Sequence, residues 1–200
     1  MKIKRLTREQ KKLWNTLQFV LRFTIFSIPL YLVLWLNLSM LPMQYMVADH
    51  ATWTLSALSF AVTKDNLILS VGAEKPFLFY IGPDCIGWKS MLCFIALVFA
   101  SLGVKMKKRI LGIVFGIPAI YLGNLARIII VVLIERSYGL SAALLFHDWL
   151  WQAGLMALVL SAWLIWLKRE EVQSFLVSFW EQWKKGKSKQ HKHIIKLKEK

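Results

Sequence analysis

The run from Ile110 to Ile134, ILGIVFGIPAIYLGNLARIIIVVLI, carries one charge in 25 residues, Arg127. A helix needs roughly 20 mainly apolar residues to cross about 30 Å of hydrocarbon, so this run is long enough to span a membrane. Working outward, three more stretches meet the same test: Leu17–Met40, Cys85–Val104 and His147–Leu167. The composition agrees, with 57% hydrophobic and 18% charged residues and a mean hydropathy of +0.50, too apolar for an ordinary soluble domain. The expected fold is an all-α integral membrane protein, a four-span helix bundle. Its first stretch follows a basic leader, as a secretory signal would. It exceeds a signal core of 7 to 15 apolar residues and lacks a small-residue cleavage pattern, which makes it an anchor.

The formal charge is +15 from 26 Lys and Arg. Spread over a soluble surface it would suggest nucleic acid. Here seven of the basic residues lie at or before Arg22, four within Lys105–Arg109 and ten from Lys168 onward, in runs that flank apolar spans. Basic flanks stay in the cytoplasm, which places both termini inside and the ends of the spans near Cys85, Ile134 and His147 outside. Nucleic-acid binding fits poorly, since no stacking platform for bases accompanies the charge.

Residues 1–167 read as one membrane-embedded domain and 168–200 as a basic cytoplasmic tail. In the tail, Val172, Phe175, Leu176, Phe179, Trp180 and Trp183 fall at helical spacing. That pattern fits an interfacial helix held by anionic lipids, and equally a solvated tail that enforces topology. The sizeable external segment is 42–84. Met43–Thr63 reads as a short amphipathic helix on the surface or against the bundle. Leu67–Val71 and Phe77–Ile81, separated by Gly72-Ala73-Glu74-Lys75-Pro76, read as a β-hairpin. In the third span Gly112 and Gly116 would let another helix of the bundle approach closely.

An ionisable side chain inside a span marks function by default. Arg127 lies 17 residues beyond Ile110, about 26 Å up the helix, and Asn124 shares its face. Cys85 opens the second span and His147 the fourth, about 30 Å above Leu167, so three helices bring Cys85, Arg127 and His147 to a similar depth. Asp84 is placed to cap the second helix, putting Cys85 in a first turn where the helix dipole favours a thiolate. His147 would take the thiol proton and return it to a leaving amine. Arg127 would hold the oxyanion. Against each stands a plainer reading: an arginine that snorkels, an interfacial histidine, a cysteine packed as a small hydrophobe. The last suits Cys93, mid-span and about 12 Å from Cys85 along a helix, beyond disulfide reach. Lys89 would lower the thiol pKa or snorkel, and Asp148 points some 100° away from His147. His191 and His193 read as solvated. No spacing suggests a metal site or a phosphate loop, and no cofactor is expected.

Pro83-Asp84-Cys85-Ile86-Gly87-Trp88-Lys89-Ser90 resembles the Cys-x-Gly-x-x-Ser block of the exosortase and archaeosortase family. Asn124-Leu125-Ala126-Arg127-Ile128 resembles its Asn-x-x-Arg block and Phe146-His147 its histidine block, in the same order. The wording around Cys85 looks more like the archaeal branch, archaeosortase. The resemblance implies a multipass cysteine transpeptidase acting on surface proteins that carry a C-terminal tripartite signal of motif, apolar helix and basic cluster. It implies transfer through a thioacyl-enzyme to an amine acceptor, lipid-linked in kind, with Cys85 as nucleophile, Arg127 as oxyanion ligand and His147 as acid-base residue. Gly87 would permit close approach, and Ser90 and Asn124 would be supporting polar residues. The four spans and lack of a fused soluble domain make the chain a near-minimal core. Two other readings use the same residues: a peptidase that releases the acyl group to water, and a non-catalytic binding or assembly subunit in which Cys85 is incidental.

Overall fold

A computed structural model describes residues 7–73, 76–149 and 153–168, so the tail helix expected around Val172–Trp183 lies outside the described residues. The chain divides into two compact units, Met1–Trp163 and Leu164–Lys200, and the site described below lies in the first. Helix α1 (Arg8–Phe26) starts at a capping box: Thr7 Oγ1 accepts from Gln10 N–H, and Gln10 Oε1 accepts from Thr7 N–H. It passes through Ser27 into α2 (Ile28–Trp35), whose Pro29 sits where a helix start tolerates it. Neither helix buries a residue of its own span. They are covered along one side, where Phe26 stacks on Phe99 and Leu30 and Val33 pack against the core, and the broad apolar surface left exposed, from Leu13 to Leu36, suits a lipid surround and not water. The sequence expected this span to run to Met40, but helical structure ends at Trp35. Asn37 and Met40 take left-handed conformations, φ 48° and 49°, which an α-helix of L-residues excludes.

Helix α3 (Leu41–Ala57) buries Gln44, Val47, Ala48, Ala51 and Leu55, one face at three- and four-residue spacing. It therefore packs inward and does not rest on the surface. It ends at Ala57 and not Thr63, because Ser59 turns left-handed at φ 66° and the chain straightens into β1 (Val62–Asp65). β2 (Ile68–Val71) and β3 (Phe77–Tyr80) follow, giving an antiparallel sheet ordered β1-β2-β3 with Asp65 opposite Ile68 and Leu69 opposite Phe79. The external segment thus holds a three-stranded meander where the sequence suggested two strands. Val62–Asp65 was hidden because its residues, Val-Thr-Lys-Asp, carry little apolar alternation.

A 3-10 turn, Pro83–Ile86, then leads through Gly87 into α4 (Trp88–Ala100). Helix α5 (Met106–Tyr138) runs 33 residues, about 50 Å, and stops at Gly139, φ 82°. Helix α6 (Leu140–Trp149) and α7 (Leu155–Leu167) complete the described chain. Among the described residues two helical paths are long and apolar enough to cross a membrane, Arg8–Trp35 and Met106–Tyr138, whereas α4 and α7 are shorter apolar helices. The second expected span is thus 13 residues of α-helix, beginning three residues after Cys85. The fourth did not open at His147: that residue lies in the last turn of α6.

Helix α5 is the central post. Its buried face carries Ile120, Asn124, Arg127, Ile128 and Val131, spaced three and four apart. Two glycines notch it. A Cβ on Gly116 would lie 2.2 Å from Phe94 of α4, and one on Gly123 would lie 2.5 Å from Leu158 of α7. Gly116 therefore serves packing within the bundle. Val47, Ala48, Ala51, Leu69, Phe79, Cys85, Ile86, Trp88, Ile128, Val131 and Ala143 form the main core cluster. Trp88, 5% exposed, is buried in it despite the polar potential of its indole N–H.

Candidate active site

Cys85 sits inside the 3-10 turn and not in the first turn of a helix. Pro83 fixes the start of that turn, and Gly87, at φ 73°, reverses the backbone before α4 can begin. Asp84 consequently caps nothing: α4 has Gly87 at its N-cap and no side-chain cap bond. Asp84 instead pairs with Lys89 at 2.5 Å, and the Lys89 ammonium also lies 5.7 Å from the Trp88 ring.

The turn is clamped at both ends of Cys85. Its N–H donates to the Gly82 carbonyl at 3.0 Å, and its carbonyl accepts from Asn124 Nδ2 at 2.7 Å. That second bond is buried and reaches 39 residues along the chain to α5. It requires Gly87, because a Cβ there would meet Asn124 Cγ at 3.0 Å while straining a left-handed backbone. Asn124, Gly87 and Cys85 therefore form one packed unit. Ser90 lines a cleft of about 290 Å³ with Asp84, Lys89 and Cys93 on one side and Met156 and Leu160 of α7 on the other.

One helical turn beyond Asn124, Arg127 is 4% exposed. Its guanidinium lies near enough to the Cys85 thiol for its positive charge to favour the thiolate. Among the described residues no hydrogen-bond partner meets Nε, Nη1 or Nη2, and Asn124 Oδ1 is equally uncommitted. A buried guanidinium with idle donors is costly unless a ligand uses them. The Cys85 Sγ–H points to the Tyr80 carbonyl at 3.8 Å. Burial pushes this thiol above its ordinary 9.0, helped by the Asp84 charge and opposed by the Gly82 backbone and the Arg127 charge. At neutral pH it is a thiol that needs a base.

His147 is not bonded to Cys85. Its Nδ1 lies 3.4 Å from Asp148 Oδ1, a long and mostly exposed contact despite the expected angular separation, and its ring meets Phe79 edge-on at 6.2 Å. Phe79 belongs to the cluster that holds Cys85, so the imidazole touches the edge of that cluster. The structure thus brings Cys85, Gly87, Asn124 and Arg127 into one constellation, with His147 at its margin and Asp84 and Ser90 on another side of the turn.

The transmembrane exosortase family (Exosortase_EpsH) has a profile that matches residues 6–151. The chain belongs to this family. No curated relative and no solved structure matches it. Exosortases are in general cysteine peptidases or transpeptidases of membranes, and the apolar helices described above fit a membrane protein of that kind. The matched region holds the Cys85 turn, the Asn124–Arg127 face and His147.

Sequence reasoning missed one polar pair within this exosortase. His50 Nδ1 and Tyr121 Oη lie 2.5 Å apart, with rings edge-on at 5.8 Å, tying α3 to α5 one turn before Asn124. The available signal was an ionisable residue on the helix that covers the site. It also missed Arg109, whose guanidinium donates to the carbonyls of Val98 (3.4 Å), Phe99 and Ser101 (2.7 Å) at the end of α4.

Proposed function

We propose that this exosortase is a membrane sorting transpeptidase in which Cys85 attacks a peptide carbonyl of an exported protein's C-terminal signal. What supports the reading above all is the buried Arg127 guanidinium beside the thiol with no other partner. Donors held at the thiol without a ground-state use are what a developing oxyanion requires.

In this scheme His147 Nε2 or Nδ1 takes the thiol proton as Sγ bonds to the carbonyl carbon, and Arg127 donates to the resulting oxyanion. The imidazolium then protonates the leaving nitrogen as the C–N bond breaks, leaving a thioester on Cys85. An acceptor amine attacks the thioester, loses a proton to His147, and departs as the new amide while the thiol is restored. For His147 to reach the thiol, Phe79 shifts as the peptide enters; catalytic contacts commonly tighten only in the complex. Asn124 and Gly87 hold the Cys85 carbonyl so that Sγ keeps its aim, and Asp84, Ser90 and Lys89 form a polar mouth to the apolar cleft against α7. Such a mouth suits an amine acceptor with an apolar chain, which makes a lipid-linked amine the proposed acceptor. Four crossings with both termini inside, α4 and α7 crossing as short helices, put this site on the outer face. The Asp84-Cys85-Ile86-Gly87-Trp88 wording favours an archaeosortase-like specificity.

Trapping tests the proposal. Solubilised protein is mixed with a peptide bearing a candidate C-terminal signal, and intact mass is followed for an adduct on Cys85. The expected result is a thioester that Cys85→Ala lacks and an added amine releases. Peptide binding equal in wild type and Cys85→Ala, with no adduct, would instead favour a non-catalytic binding subunit.

A further inference from the structure

The sheet has two edges, and they are treated differently. Along β1 the sequence is Val-Thr-Lys-Asp, with Lys64 paired to Asp49 of α3. A charged edge of this kind is a usual guard against unwanted strand pairing. β3, Phe-Leu-Phe-Tyr, has no charge, no proline and no bulge, and Leu78 and Tyr80 are 66% and 58% exposed. In an antiparallel ladder the main-chain groups of alternate residues face opposite sides. Ile81 N–H donates to Leu67 O at 2.8 Å, so Phe77 and Phe79 face β2 and the main chain of Leu78 and Tyr80 faces the free edge. There the Tyr80 carbonyl is met by Gly82 N–H at 3.2 Å and by Cys85 Sγ, while among the described residues no backbone bond reaches Leu78 from that side.

Beside this edge runs a cleft of about 220 Å³, bounded by β3, by Val131 of α5 and by Leu140, Leu144 and His147 of α6. Its walls carry two titratable side chains, Tyr80 and His147. Strand edge and imidazole therefore share one opening, and the Cys85 thiol lies beside the Tyr80 end of that edge, 3.8 Å from the Tyr80 carbonyl. From this convergence, and resting on the transpeptidase reading above, we propose that β3 is the docking strand for the substrate. An extended peptide adds alongside it as a fourth strand, bonds to the main chain of Leu78, and turns alternate apolar side chains into the cleft. An extended chain is the one partner whose backbone repeat of 3.2–3.4 Å per residue matches the donors and acceptors of a strand. β3 leads directly through Ile81 and Gly82 to Cys85, so a peptide following it carries a carbonyl to the thiol. Recognition here reads backbone first and asks of the side chains only that every second one be apolar.

The test uses a positional-scanning library of acetylated peptide amides in detergent micelles, read as acylation of Cys85 by intact mass. The best acylating peptide is then resynthesised with single backbone N-methyl groups at each position. The expected result is one sensitive position, the residue whose N–H donates to the Leu78 carbonyl, where N-methylation lowers kcat/KM about tenfold while the residues on either side tolerate it. One hydrogen bond, worth at most about 1.5 kcal/mol, accounts for that factor. Leu78→Pro, which removes an N–H that β2 does not use, should raise KM by a similar factor. Leu144→Trp, which narrows the cleft without touching the strand, should do the same if the proline disturbs folding. Val62→Pro, on the far edge, should retain wild-type kinetics. Acylation with a flat N-methyl scan and unaltered Leu78→Pro and Leu144→Trp kinetics would overturn the docking strand and leave the transpeptidase reading standing. Failure of every peptide to acylate Cys85 would overturn both.

Discussion

Arg109 and Arg127 stand on the same helix, 18 residues and about 27 Å apart, and their surroundings are opposite. Arg109 spends its donors on carbonyls left over at the end of α4: Val98, Phe99 and Ser101, with Val104 taken by Nε at 3.1 Å. Terminal helix carbonyls lack intrahelical partners, so the guanidinium completes α4 as a cap would. Arg127 is more deeply buried and has only the Cys85 thiol before it. The contrast separates an arginine that holds structure from one held ready for a ligand.

Substituting each arginine by methionine, of similar length and no charge, turns the contrast into measurements. The largest effect belongs to Arg127→Met: acylation of Cys85 should fall by about 10²–10³-fold, with thermal stability unchanged or raised because an uncompensated buried charge is gone. The same variant should alter alkylation of Cys85 by iodoacetamide. In wild type the rate should climb about tenfold per pH unit from 7 through 9 without a plateau, since burial places the thiol above its ordinary 9.0. Arg127 pulls that value down, so its loss should move the profile to still higher pH. A plateau near pH 7 in wild type would mean that the thiolate is already stabilised at rest.

Arg109→Met should do the reverse, costing about 1–3 kcal/mol of stability as the α4 carbonyls lose their donors, while the remaining folded protein acylates normally. Equal losses of activity in both variants would erase the distinction. Asn124→Ala comes next, since it joins the two roles. It strips the Cys85 carbonyl of its buried bond and should cost about 1–2 kcal/mol together with a several-fold drop in acylation. Asp84→Asn should matter least, below about 1 kcal/mol, because the Asp84–Lys89 pair is part-exposed.

The comparison also explains what the sequence made legible. Arg127 stood out because it is alone in a long apolar run, and Asn124 because it shares that helix face at a spacing of three. Cys85 stood out because it opens an apolar run at the depth of Arg127, though the 3-10 turn was not foreseen: capping logic pointed to Asp84, while the left-handed Gly87 postponed the helix by three residues. His147 was placed at the head of a span because its apolar surroundings continue on both sides, and hydropathy does not register where one helix stops and another starts. Arg109 looked like one more basic residue in a cytoplasmic run. Its role depends on α4 ending nine residues earlier, within reach of a side chain, and composition carries no trace of that distance. The β1 strand went unseen for a related reason: a charged edge strand shows its purpose only beside a partner.

The glycine notches in α5 have a mechanical consequence. At 33 residues the helix exceeds the roughly 30 Å of hydrocarbon it would cross, so a bilayer that thins or thickens asks it to tilt. Phe94 and Leu158 sit in Gly116 and Gly123 like pins in a keyway, 11 and 4 residues before Arg127, and oppose sliding along the axis. Bilayer thickness therefore works on the bundle as a whole and leaves the spacing between guanidinium and thiol alone, an instrument whose calibration travels with it from one host lipid to another.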